Sequence, residues 1–135
     1  MVYVTRRETF SAAHRLFNPK FSDKENEKVF GKCSNPNWHG HNYILEVVVA
    51  GNPDPETGFV INLSELKKII KEFIIDKVDH KNLNTETGFM KGIIPSTENI
   101  TVAIWKELFD KIPKGKLYSV KVSETENNFF EYRGE

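Results

Sequence analysis

Two histidines separated by one glycine, His39-Gly40-His41, stand directly before the apolar run Tyr43–Val49. The same stretch, CSNPNWHGH, holds the chain's one cysteine, Cys33. Side chains on a strand alternate faces, so His39 and His41 point the same way with their Cα atoms roughly 6.6 Å apart. Two imidazoles at that separation can converge on one ion, since Zn–N bonds are only about 2.0–2.1 Å long. Gly40 between them removes bulk from the opposite face and permits a local bend. A third imidazole, His14, ends an earlier strand-like segment. Three histidines without a fourth protein ligand leave a coordination position open, which is the mark of a catalytic rather than a structural zinc site. The plainer alternative is a strand that turns two polar side chains to solvent; spacing alone favours it, and His14 beside the pair brings the two readings level.

Two further features carry chemistry. Cys33 lies on the segment just before His39, where its thiolate would be close to whatever a metal holds; otherwise it is a small core residue. Asp79-His80 pairs a carboxylate with an imidazole, which can orient and raise a base. It also ends a helical pattern, where histidine favours the helix dipole, and on spacing alone that second reading is preferred.

The elements that must position these residues follow from periodicity. Residues 2–14 are rich in β-branched and aromatic residues, with no Gly or Pro, and predict a strand. Residues 15–38 are polar and charged, contain Pro19, Gly31 and Pro36, and read as a long loop. A second strand runs from His39 to Ala50 and stops at the turn signal Gly51-Asn52-Pro53-Asp54-Pro55. If these two strands pair antiparallel, His14 falls beside His39 and His41. Phe59-Val60-Ile61 reads as a short extended piece. Ser64 is a plausible N-cap for a helix whose Leu66, Ile69, Ile70 and Phe73 share a face and which ends near Val78. Residues 81–95 read as loop. Ser96 or Thr97 then caps a second helix bearing Ile100, Ala103, Ile104 and Leu108, and strands at about 117–125 and 128–133 close the chain. Strands at both ends with grouped helices between them predict an α+β fold in one domain, residues 1–135. The expected form is an antiparallel four-stranded sheet with two helices on one face.

Bulk properties exclude other classes. The chain has 135 residues, long enough to bury a core, with 19 basic and 19 acidic residues. No basic stripe offers a nucleic-acid surface, and no apolar run is long enough to span a bilayer. A single cysteine cannot form an internal disulfide and no signal-peptide pattern is visible, so the expected setting is cytoplasmic.

The segments FSAAHRL (10–16), FGKCSNPNWHGHNY (30–43), VDHKNL (78–83), STEN (96–99) and KVSETENNFFEYRGE (121–135) together resemble the 6-pyruvoyl-tetrahydropterin synthase family. They occur in order over nearly the whole chain. That resemblance implies the tunnelling fold, with sheets of several subunits closing into a barrel and a homohexamer built as a dimer of trimers. It implies Zn2+ held by His14, His39 and His41. It makes Cys33 the proton-abstracting base, kept reactive by Asp79 and His80 from a neighbouring subunit. Glu124 would grip the pterin ring, with Ser96, Thr97 and Glu98 framing the pocket. The implied reaction converts 7,8-dihydroneopterin triphosphate to 6-pyruvoyl-tetrahydropterin with loss of triphosphate.

The C-x5-HGH spacing of Cys33 and His39 is that of the pyruvoyl synthases; the related 6-carboxy-tetrahydropterin synthases of the queuosine pathway typically show C-x3-HGH. That related activity is the alternative enzyme, and a non-catalytic pterin- or metal-binding module is the alternative from another class. Retention of both Cys33 and the histidine set speaks against the last. Two positions depart from the family pattern. Trp38 stands where a small residue is usual, and Val78 replaces the customary leucine.

Overall fold

The computed structural model describes residues 1–135. Its centre is the pairing of β1 (Val2–His14) with β2 (His39–Gly51), antiparallel and in register from Val2↔Gly51 to His14↔His39. The register brings the end of one strand beside the start of the other, as the sequence required for the three histidines. β2 also pairs antiparallel with β4 (Lys116–Ser123), which pairs with β5 (Phe129–Tyr132).

The outer edge of β1 differs from expectation. A two-residue strand, β3 (Lys81–Asn82), runs parallel to β1 at Ala12 and Ala13, so the order is β3-β1-β2-β4-β5. The sheet is therefore five-stranded and mixed, not four-stranded and antiparallel. A two-residue strand is too short to show any period, which is why residues 81–95 read as loop. Phe59-Val60-Ile61 forms no strand, although Val60 and Ile61 are buried in the core.

A second correction lies in residues 15–38, which hold helix α1 (Asp23–Phe30) and a 3₁₀ turn, Gly31–Ser34. There are three helices, not two. Helix α1 buries only Asn26 and has no apolar stripe to betray it. Its signature was the cap: Ser22 is followed three residues later by Glu25, and the Ser22 hydroxyl accepts the Glu25 N–H at 3.1 Å.

Helix α2 begins at Leu63–Ile70, widens into a π-helical stretch at Lys71–Ile75 and ends with Asp76–Val78. Its N-cap is Asn62 rather than Ser64: the Asn62 side chain accepts the N–H groups of Ser64 (2.9 Å) and Glu65 (3.3 Å). Leu66, Ile70, Ile74 and Val78 are all fully buried at a constant spacing of four. An α-helix turns about 100° per residue, so that spacing drifts about 40° at each step. The wider π turns take up the drift and keep all four side chains on the sheet. Helix α3 (Thr97–Leu108) is capped by Ser96, whose hydroxyl accepts the Asn99 N–H at 3.3 Å.

Both α2 and α3 bury their apolar sides on one face of the sheet. Phe10, Ala12, Tyr43, Leu45, Val47, Val49, Val120 and Val122 meet Leu66, Ile70 and Ile74 of α2 and Ile100, Ile104 and Leu108 of α3 in one cluster. Alternation continues that same face along β1 to His14, which is completely buried. The histidines thus stand at the open end of the core layer. No helix is long and apolar enough to cross a membrane.

Candidate metal centre and active site

Three imidazoles meet where β1 ends and β2 begins. The ring centroids of His14 and His39 are 4.5 Å apart, those of His14 and His41 5.1 Å, and those of His39 and His41 5.0 Å. One nitrogen from each ring lies within 4.8 Å of the other two, an arrangement that can hold a metal ion.

The orientation of His14 is fixed from behind. Its Nδ1 lies 2.8 Å from the carbonyl oxygen of Pro95, just before helix α3. A carbonyl only accepts, so Nδ1 carries the proton and Nε2 keeps its lone pair toward the cluster. Tyr43 stands beside the ring with its hydroxyl 3.3 Å from Nδ1, and its own ring stacks on Phe10 at 4.8 Å.

Electrostatics favour ligation. Burial is the main cause that lowers the His14 pKa to about 4, aided by His39 and His41 and opposed by the Pro95 carbonyl. Burial, then the neighbouring His41, also lowers that of His39. Both rings are neutral near pH 7, the form that binds metals. Burial raises the Tyr43 pKa, so it stays a neutral phenol. Both nitrogens of His39 and Nε2 of His41 are buried without any hydrogen-bond partner. Buried polar atoms are rarely left so. A bound cation would take one nitrogen from each ring, and the set of three imidazoles suits zinc.

The depressed His14 pKa has a measurable consequence in the metal-free protein. Between pH 6.5 and about 4 the unfolded chain binds a proton at His14 that the folded chain refuses. Stability is therefore nearly full above pH 6.5 and falls as the pH drops toward 4, by on the order of 2 kcal/mol at pH 5 and about 3 kcal/mol at pH 4. Urea unfolding of metal-free protein at pH 7 and pH 5 should show this loss, and His14→Asn should reduce it. An equal pH dependence in the variant would contradict the account.

The carboxylate of Glu124 completes the cluster's rim. Glu124 follows β4, and its N–H donates to the Asn128 carbonyl at 3.1 Å across the turn to β5. Ile44 pairs with Ser123, so the next position sets Glu124 opposite Tyr43, on the face of His41. Its Oε1 lies 3.2 Å from His41 Nε2 and 3.7 Å from His14 Nε2.

Cys33 sits half-buried in the 3₁₀ turn, outside the imidazole group, and its carbonyl accepts the Leu16 N–H at 2.8 Å. The turn is tied to β1 by Arg15, whose Nε donates to the Ser34 carbonyl at 2.8 Å. Trp38 leads into His39 with φ at 66°. A left-handed backbone costs a bulky residue roughly 1–2 kcal/mol, and glycine adopts it freely, which gives the usual small residue its reason.

Of the residues proposed to frame a pocket, Thr97 is buried with its hydroxyl unpartnered. Ser96 is committed to capping α3, and Glu98 is exposed in the helix's first turn. Asp79 and His80 lie elsewhere, along the outer edge of β1. Asp79 Oδ1 accepts the Ser11 N–H at 2.9 Å, and Oδ2 is 3.0 Å from His80 Nδ1. The Ser11 hydrogen bond is the main cause that lowers the Asp79 pKa. His80 has φ of 58° and a side chain 82% exposed. Within one chain no hydrogen bond or ion pair joins either residue to Cys33. Tyr43 and Pro95 were missed as orienting groups; a carbonyl behind a ligand histidine leaves no trace in sequence.

The fold and the site define a class: an α+β protein with a three-histidine centre able to hold a metal ion. A sequence profile described as 6-pyruvoyl tetrahydropterin synthase matches residues 3–135. The chain belongs to that family. The 6-pyruvoyl tetrahydrobiopterin synthase of Dictyostelium discoideum is 51% identical over 134 residues, covering 99% of this chain and 97% of the relative. The solved structure of Caenorhabditis elegans 6-pyruvoyl tetrahydropterin synthase matches with a TM-score of 0.93 at 41% identity, over 99% of this chain and 96% of that one. By contrast, the 6-carboxy-5,6,7,8-tetrahydropterin synthase of Rickettsia typhi is 30% identical over 150 residues, 97% of this chain and 99% of that protein.

Proposed function

We propose that this chain is a zinc-dependent lyase that converts 7,8-dihydroneopterin triphosphate to 6-pyruvoyl-tetrahydropterin and triphosphate, acting as one cytoplasmic domain in tetrahydrobiopterin-type biosynthesis. The observation that carries the reading is the convergence of His14, His39 and His41, with buried nitrogens left unpartnered. His14, His39 and His41 hold the ion as neutral imidazoles. Zinc supplies Lewis-acid chemistry there, polarising side-chain hydroxyl oxygens of the substrate and acidifying the adjacent C–H.

Cys33 takes the proton from that carbon as thiolate, and the hydrogen lost from the side chain is regained by the pterin ring. Oxidation of the side chain balances reduction of the ring, so no external reductant is needed. Glu124 anchors the ring's NH groups through charge-assisted hydrogen bonds, with Ser96, Thr97 and Glu98 around it. Asp79 and His80 serve the Cys33 of a neighbouring subunit. Their exposure on the sheet's outer edge suits that role, as do short edge strands that further subunits would cover. Trimers closed into a barrel and stacked as a hexamer provide such neighbours.

The C-x5-HGH spacing and the greater identity to the pyruvoyl synthases favour this product over 6-carboxy-tetrahydropterin. Incubation of zinc-loaded protein with 7,8-dihydroneopterin triphosphate, followed by mass spectrometry, should give 6-pyruvoyl-tetrahydropterin. Release of acetaldehyde with 6-carboxy-tetrahydropterin would establish the other activity, and unaltered substrate a binding module.

A further inference from the structure

The distances around Glu124 fit a role that pterin anchoring does not require. Ligand atoms about 2.1 Å from a tetrahedral ion stand about 3.4 Å from one another. Glu124 Oε1 is 3.2 Å from His41 Nε2 and 3.7 Å from His14 Nε2, values that bracket this spacing. The approach to His41 is not a hydrogen bond, because Nε2 of His41 remains without a partner of suitable geometry. A carboxylate oxygen thus stands beside the nitrogens of His41 and His14, at the rim of the three-histidine group rather than within it.

We infer that Glu124 closes the metal centre in the substrate-free protein as a fourth, displaceable ligand, and that the pterin ring draws it off. The inference rests on the reading of His14, His39 and His41 as metal ligands and of Glu124 as the pterin anchor. Its placement suits an exchange. Glu124 lies one residue beyond β4, in the turn before β5, with its side chain 20% exposed. One carboxylate cannot satisfy both the ion and the ring's NH groups fully. Arrival of the ring shifts the carboxylate to the new donors and opens the coordination position next to them. The position opens only when a pterin is present, so other small hydroxyl compounds find the ion closed. Binding of the ring then selects the open state of the centre.

Cobalt(II) tests this without any turnover, because its visible absorption reports the number and kind of ligands. Metal-free wild type, Glu124→Gln, Glu124→Ala and His14→Ala are titrated with cobalt alone, and then with unsubstituted pterin, which lacks the side-chain hydroxyls. Wild type should bind one cobalt per chain. Both Glu124 variants should bind it at least about ten-fold more weakly, no less than the loss of a group that merely orients a ligand, and with an altered spectrum. Pterin should move the wild-type spectrum toward that of the variants and leave theirs unchanged.

Cobalt affinity and spectrum unchanged in both Glu124 variants would overturn the inference while leaving the three-histidine site intact. Tighter binding in the variants would overturn it too, by making Glu124 a competitor that pairs with His41 in the metal-free chain. A wild-type spectrum indifferent to bound pterin would exclude the exchange. If wild type binds no cobalt, or His14→Ala binds it equally well, the metal site itself fails and the inference falls with it.

Discussion

Replacing Cys33 with alanine is expected to lower turnover by roughly 10²–10⁴-fold, the contribution of a positioned proton-transfer group, while fold and metal content stay unchanged. The structure separates these effects well. Cys33 is held through its backbone, with the carbonyl bound to the Leu16 N–H, and the 3₁₀ turn is tied to β1 by Arg15. Neither contact uses the thiol. The thiol is also outside the imidazole group, so its loss removes no ligand. Turnover, elemental analysis and a thermal melt on the one variant decide the matter. Retained turnover with a lowered melting temperature would make Cys33 a packing residue and remove the base from the mechanism.

An equally large effect is expected from mixing two inactive variants. Cys33→Ala and His80→Ala, unfolded and refolded together, should recover activity that neither has alone. If each site takes Cys33 from one subunit and His80 from the next, an equal random mixture leaves about a quarter of the sites with both. The placement of Asp79-His80 motivates the test. Asp79 is fixed to Ser11 on the outer edge of β1, and the His80 N–H donates to the Ser11 carbonyl at 2.6 Å. The His80 imidazole is thereby held in solvent, with its backbone in the left-handed region. Such a conformation in a non-glycine residue persists where the surroundings enforce it, here the two hydrogen bonds to Ser11. Verified mixed oligomers without activity, or a monomer by light scattering, would refute the shared site.

The histidine cluster was legible because strand periodicity is strict. His39 and His41 share a face by alternation, and antiparallel pairing leaves His14 no other place than beside His39. Glu124 came from the family resemblance alone; by itself it read as an exposed strand residue, and the structure sets it one residue beyond β4, beside His41. What escaped was structure without a period. β3 is two residues long, and α1 turns almost all its side chains to solvent. Only the Ser22–Glu25 cap announced α1. The π-helical stretch in α2 shows as a spacing of exclusively four residues between buried positions, a pattern a 3.6-residue period does not explain. The Pro95 carbonyl behind His14 is a backbone group that any residue would supply, so no side chain recorded it. The partition of the site into a near half and the distant Asp79-His80 followed only from the family resemblance, because spacing favoured a helix end.

In the proposed function, His14, His39 and His41 form the metal centre on which turnover depends. Metal-free protein titrated with zinc, with turnover of 7,8-dihydroneopterin triphosphate followed at each addition, tests it most directly. Turnover should rise from zero in proportion to bound zinc and level off at one zinc per chain, and His14→Ala should show neither binding nor turnover. Full activity in the metal-free protein, or zinc-restored activity in His14→Ala equal to wild type, would contradict it.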